Sequence, residues 1–204
     1  MESETKNIIN QRGYRENIKG NMKRILLIFL LILSISCNKK TKNSNDKMPK
    51  NMENEEKYIR LAIEVAKESS QNGNFPYGCV LVDKSGKVIM KGENTINTDN
   101  DCLAHAEVNL IREACKVYEF SHLNECTIYT SDEPCPMCTS AIYWSGIGKL
   151  VYGLSKAEYY RIVGGDNKNW VFEMPTRELL EKGGRKVEVV GPLLEKEVAL
   201  LHKE

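Results

Sequence analysis

His105-Ala106-Glu107 and Pro134-Cys135-Pro136-Met137-Cys138 are the residues of this chain whose types and spacing can do chemistry. Together they supply one imidazole, two thiols and one carboxylate. Imidazole nitrogen and thiolate sulfur are ligands of tetrahedral Zn²⁺, and a catalytic zinc keeps three protein ligands and leaves its fourth position to water. No further Cys or His stands at ligand spacing: His122 is a lone residue in a loop-like stretch, and Cys126 opens an apolar strand pattern. The set therefore predicts an open zinc site, with His105, Cys135 and Cys138 as ligands and Glu107 uncommitted.

A helix starting near Ala104 places His105 and Glu107 around the mouth of its first turn, where the carboxylate can reach water without ligating the metal. Cys135 and Cys138, three apart on the first turn of a second helix, put both sulfurs on one side. Unpaired N–H groups and the macrodipole at a helix N-terminus favour thiolate there. Cys-x-x-Cys alone equally describes a redox pair or two buried thiols. His-x-Glu upstream and prolines on both sides of Cys135 separate this chain from those readings, because that combination is the pattern of zinc nucleobase deaminases.

The elements that must position these residues can be read from hydrophobic period. Ile59, Ala62, Ile63 and Ala66 recur at helical spacing between Glu55 and Gln71, and Asn72-Gly73-Asn74 stops the helix. Cys79 to Val82 and Lys87 to Glu93 read as a hairpin across Asp83-Lys84-Ser85-Gly86. After a polar loop from Thr95 to Cys102, the metal helix runs to Val117 and is expected to bury Val108, Ile111 and Cys115. A strand from Thr127 to Ser131 delivers the second metal motif, followed by a helix from Pro136 to Trp144 and a strand from Lys149 to Gly153. Tyr159-Tyr160 belongs to a short helix, Gly164-Gly165-Asp166-Asn167 to a loop, Val187 to Val190 to a fifth strand, and Leu193 to Leu201 to a last helix. Single strands alternating with helices predict a layered α/β domain with helices on both faces. Cys79, Cys102 and Cys115 read as buried small hydrophobes.

The 204 residues, 41% of them hydrophobic, suffice for one core. Residues 1–21 are polar and read as an upstream extension, with Met22 the start. Met22-Lys23-Arg24 and the apolar run from Ile25 to Ile35 are too short for a membrane span and read as a signal segment over 22–36. Residues 37–52 form a flexible tether, and 53–204 the globular domain. The tether carries a basic surplus: 1–52 hold 11 Lys/Arg against 4 Asp/Glu, whereas 53–204 hold 18 against 24, near −6. An acidic body argues against nucleic acid, whose binding takes a basic face, and for a small neutral substrate. Unpaired thiols among seven Cys count against an oxidising compartment and keep a cytoplasmic location as the alternative.

The segment ending Ser34-Ile35-Ser36-Cys37 resembles a bacterial lipoprotein signal, which implies lipidation of Cys37, a lipid anchor as the only membrane attachment, and a place in the cell envelope. Residues 53–204 resemble the cytidine deaminase-like superfamily, most closely bacterial guanine deaminases and related nucleobase deaminases. The likeness is densest in Ala104-His105-Ala106-Glu107-Val108, Ile111-Arg112, Thr130-Ser131, Glu133-Pro134-Cys135-Pro136-Met137-Cys138 and Ala141-Ile142-Tyr143-Trp144. It implies a three-layer α/β/α fold around a five-stranded mixed sheet, a homodimer, and Zn²⁺ on His105, Cys135 and Cys138. It further implies proton transfer by Glu107 and substrate contacts from Asn94, the Ala106 N–H, Tyr77, Tyr143 and Trp144. Guanine is the expected substrate. A tRNA adenosine deaminase, a deaminase of isocytosine, cytosine or a nucleoside, and a non-catalytic zinc-stabilised lipoprotein are the alternatives. Tyr77 in place of the usual Phe, Cys102-Leu103 in place of Pro-Thr, and the lack of a recognisable aromatic tail before Glu204 depart from the guanine pattern.

Overall fold

The computed structural model describes residues 50–164 and 171–203. The extension, the signal segment with Cys37, nearly all of the tether and most of the Gly164–Asn167 loop lie outside them. The chain runs α1 (Lys50–Gln71), β1 (Gly78–Val82), β2 (Val88–Glu93), α2 (Ile96–Asp99), α3 (Ala106–Val117), α4 (Phe120–Asn124) and β3 (Thr127–Asp132). It continues through α5 (Pro136–Ser145), β4 (Lys149–Leu154), α6 (Lys156–Val163), α7 (Thr176–Glu181), β5 (Glu188–Val190) and α8 (Glu195–Val198), and closes on a 3₁₀ turn, Ala199–His202.

The five strands form one mixed sheet in the order β2-β1-β3-β4-β5. β1 pairs antiparallel with both β2 and β3, and β4 pairs parallel with β3 and β5. Side chains alternate across a strand, so each strand feeds two cores. Cys79, Leu81, Ile128 and Leu150 pack with Leu110 and Ala114 of α3, Ile142 of α5 and Leu180 of α7. Val80, Val82, Tyr129 and Val151 pack with Ile59 and Ile63 of α1 and with Val198. This is the three-layer α/β/α arrangement, with helices on both faces of the sheet.

α1 owes its place to its apolar stripe. Ile59, Ala62 and Ala66 are fully buried, and burying a side chain the size of Ile stabilises by about 1.5–3 kcal/mol. Close approach of α1 to β1 requires glycine at 78, where a Cβ would collide with the Ala66 nitrogen and lie 2.6 Å from the Ala62 oxygen.

Several sequence expectations shift. α3 buries Ala106, Glu107, Leu110, Ile111 and Ala114, while Cys115 is exposed and Val108 only half-buried. The stripe at 107, 110, 111 and 114 keeps helical period but is turned by one residue, and it draws the carboxylate inward. Of the three thiols read as buried, Cys79 is, whereas Cys102 and Cys115 are exposed. His122 lies on α4 rather than in a loop, and its ring stacks on Tyr118 at 4.7 Å. The polar stretch after Asn94 contains the single turn α2, and the last helix divides into α8 and the 3₁₀ turn.

Candidate active site

Both metal motifs sit at helix starts. His105 is the N-cap of α3 and Cys135 that of α5, each with extended backbone, and Pro136 occupies the first turn of α5, where its fixed φ suits the helix and its missing N–H costs nothing. Neither N-cap side chain caps its own helix. They point at each other instead: Cys135 Sγ lies 3.8 Å from His105 Nδ1. One donor atom each from His105, Cys135 and Cys138 falls within 4.8 Å of the others. β1 and β3 hold the motifs in place through the sheet, and Gly92 of β2 lets α3 come close, since a Cβ there would lie 2.5 Å from the Ala106 carbonyl oxygen.

The electrostatics fit a cation. The Cys138 thiol donates to Cys135, and this bond, with help from His105 and the Cys138 N–H, brings Cys135 down to about 4. Cys138 is the partner that keeps its proton and is pushed up. His105 is raised, chiefly by its hydrogen bond with Cys135. Burial first, and then the Cys135 charge, pushes the Glu107 carboxyl up to about 7. A divalent ion relieves all of these at once, because it deprotonates a coordinating thiol outright and neutralises the thiolate beside Glu107. One nitrogen and two sulfurs are a donor set for zinc and not for Mg²⁺ or Ca²⁺.

A cavity of about 200 Å³ opens on these groups, lined by Tyr77, His105, Glu107 and Cys135 and by Asp132, Glu133, Lys156, Tyr159 and Tyr160. Glu107 is 8% exposed. Ala106 is the first residue of α3, so its N–H is among those that no helical carbonyl reaches. Asn94 is fully buried and divided in its work. Its Oδ1 accepts from the Ile96 N–H at 3.1 Å, a turn cap, while its Nδ2 is buried without a hydrogen-bond partner. The Tyr77 hydroxyl is 2.6 Å from that of Tyr159, and burial raises its pKa.

Asn94, Ala106, Tyr143 and Trp144 are not among the residues that line this cavity, and of the expected substrate contacts Tyr77 alone is. α5 rises about 1.5 Å per residue, so its last turn stands roughly 9 Å from Cys138. There the Tyr143 hydroxyl accepts from the Arg185 N–H at 3.1 Å and Trp144 is 78% exposed. Conversely, Asp132, Lys156, Tyr159 and His202 belong to the site or its support and carry no local signal, while Glu133 adjoins the Cys-x-x-Cys motif but is not among the residues expected at the site. Glu133 anchors the Cys-x-x-Cys loop by accepting from the Lys156 and Thr176 N–H groups, each at 2.9 Å. The Lys156 ammonium donates to the Pro134 carbonyl at 3.0 Å, and burial lowers its pKa.

A three-layer fold that places an imidazole, two thiols and a buried carboxylate at two helix starts defines a zinc-dependent hydrolytic deaminase. The family model for the cytidine and deoxycytidylate deaminase zinc-binding region matches residues 52–154, and the chain belongs to that family. The probable cytosine deaminase of Schizosaccharomyces pombe is 36% identical over 146 residues, covering 72% of this chain and 88% of that protein. The guanine deaminase of Bacillus subtilis is 47% identical over 93 residues, covering 45% of this chain and 59% of the relative. Among solved structures, a tRNA:A34 deaminase of A-to-I editing at the wobble position matches with a TM-score of 0.56 at 27% identity, over 72% of this chain and 99% of that one.

Proposed function

We propose that the protein deaminates a free nucleobase, guanine to xanthine, with His105, Cys135 and Cys138 holding zinc and Glu107 moving the protons. The observation that carries this reading is the cavity of about 200 Å³ at Glu107, smaller than the roughly 300–1,000 Å³ that drug-sized ligands occupy and fitted to a single ring system. Zinc, when bound, supplies a Lewis acid that makes water a nucleophile at neutral pH. Glu107 takes a proton from that water as its oxygen attacks the ring carbon bearing the amine. The carboxyl then gives that proton to a ring nitrogen, takes the second proton from the newly added hydroxyl and passes it to the leaving nitrogen, so that the C–N bond breaks, the new C–O bond becomes a carbonyl and ammonia departs. Asn94 Nδ2 and the Ala106 N–H supply donors for the ring.

Guanine is favoured by the 47% identity to the Bacillus subtilis enzyme, although the matched region spans about three-fifths of that relative. The Ala141-Ile142-Tyr143-Trp144 likeness is a further reason for guanine. Cytosine is the second reading, favoured by the 36% match over 88% of the Schizosaccharomyces pombe protein. The 18 Lys/Arg against 24 Asp/Glu of residues 53–204 weigh against tRNA. An ammonia-release screen of zinc-loaded protein against guanine, adenine, cytosine, isocytosine, their nucleosides and a tRNA anticodon stem-loop tests the assignment. Turnover of another compound with guanine untouched removes guanine and keeps the deaminase.

From the sequence we also infer that Cys37 is lipidated, holding the domain at a membrane surface. A homodimer is supported by the exposure of Phe120 at 54% and Trp144 at 78%, large aromatics that a second copy would cover.

A further inference from the structure

The cavity carries a carboxylate that the mechanism does not use. Asp132 lines it, and both of its oxygens are held: Oδ1 lies 2.8 Å from His202 Nε2, and Oδ2 accepts from the Ser131 hydroxyl at 2.7 Å. The His202 side chain is 3% exposed and that of Asp132 12%. His202 is fixed in turn by two aromatic rings, Tyr77 at 5.5 Å and, edge-on, Tyr159 at 5.1 Å. Those rings are joined by their own hydroxyl pair at 2.6 Å. A carboxylate offers about four lone-pair sites, so Asp132 is locked in orientation while keeping acceptor capacity on the cavity wall.

We infer that Asp132, positioned by His202, is the specificity determinant that makes this site accept a free base and reject its nucleoside. A free base carries a ring N–H at the nitrogen that a nucleoside gives to its sugar. The Asp132 carboxylate accepts from that N–H through a lone pair that His202 and Ser131 leave free, and a glycosylated or alkylated nitrogen offers that lone pair no donor and sets its substituent against the carboxylate. Sites built to hydrogen-bond a substrate N–H discriminate strongly against analogues lacking it, for this reason. His202 does not touch the substrate in this scheme. It holds the carboxylate in one orientation, as an imidazole bonded to one oxygen and braced by two rings can.

This inference rests on the reading of the protein as a base deaminase but not on guanine. The test measures kcat and KM of the zinc-loaded full chain on the base it accepts, on that base methylated at the glycosylation nitrogen, and on the nucleoside. The wild type is expected to prefer the free base over both. Asp132→Asn is expected to reduce that preference by about 10- to 100-fold, the range for a hydrogen bond to a charged group, mainly through KM for the free base and with zinc content unchanged. His202→Ala is expected to lose most of the preference, and His202→Gln, which keeps a donor, to restore much of it. A wild type that uses the methylated base or the nucleoside as well as the free base overturns the inference without any variant. So does Asp132→Asn with full zinc and undiminished preference. Should guanine fail, the comparison moves to whichever base is turned over, so that the two failures are told apart.

Discussion

Glu107 is a carboxylate that folding pays to bury, and its behaviour is the sharpest residue-scale consequence of the site. If Glu107 carries the protons as proposed, Glu107→Gln keeps the shape and removes the carrier, so zinc content should hold while ammonia release falls by about 10²–10⁴-fold. Near-normal release would take Glu107 out of the chemistry. The same carboxyl is raised from an ordinary 4.5 to about 7 by burial and the Cys135 charge. A folded-state value above the unfolded one means the native protein binds the proton more tightly, so the group costs nothing below about 4.5 and its full penalty is present above about 7. In zinc-stripped protein, Glu107→Gln should therefore be the more stable form at pH 8, by on the order of 3 kcal/mol, with the difference gone below pH 4.5. Denaturant midpoints at the two pH values check this, and equal midpoints at pH 8 would count against the burial argument. His105, Glu107, Cys135 and Cys138 were legible in the sequence because their chemistry is compressed into two short motifs. Asp132 and His202 were not, since a pair 70 residues apart leaves no mark in any local window.

At the scale of elements, two helices meet end to end at the site, and neither start is capped by its own side chain. The ligands hold those ends instead, so zinc is expected at about one equivalent per chain in protein purified without added metal. Elemental analysis giving less than about half an equivalent would count against an open site of this donor set. The approach of β2 to α3 is as tight as the ligand geometry it supports. Gly92→Ala places a methyl 2.5 Å from the Ala106 carbonyl and 2.7 Å from the Leu110 Cβ, which backbone cannot yield to cheaply. A loss of about 1–3 kcal/mol in stability and weakened zinc retention are expected together, read by thermal melting and metal analysis. Unchanged values for both would mean that α3 shifts freely. Strands and long helices were readable from period, but α7, six residues of Thr176–Glu181, was missed because so short a helix shows less than two turns of pattern. The buried register of α3 was misjudged because Glu107, counted as polar, in fact lies on the core face.

The whole molecule divides in charge between basic residues 1–52 and acidic residues 53–204, and the two parts make separate predictions. If Cys37 is the lipidated N-terminus, mass spectrometry of protein from its native host will find residues 22–36 gone and acyl chains on that Cys. A product retaining residues 22–36, or bearing an unmodified Cys37, returns the enzyme to the cytoplasm. The body makes a claim about order of assembly. Both metal motifs lie between residues 105 and 138, whereas the hydroxyl pair joins residues 77 and 159 and the carboxylate's partner waits until residue 202. Neither pair can close before its later member has been synthesised. A nascent or truncated chain that stops short of Ala199 would thus carry every metal ligand and yet lack the bond that fixes Asp132. Metal capture and choice of substrate would then mature at different moments in the life of one polypeptide.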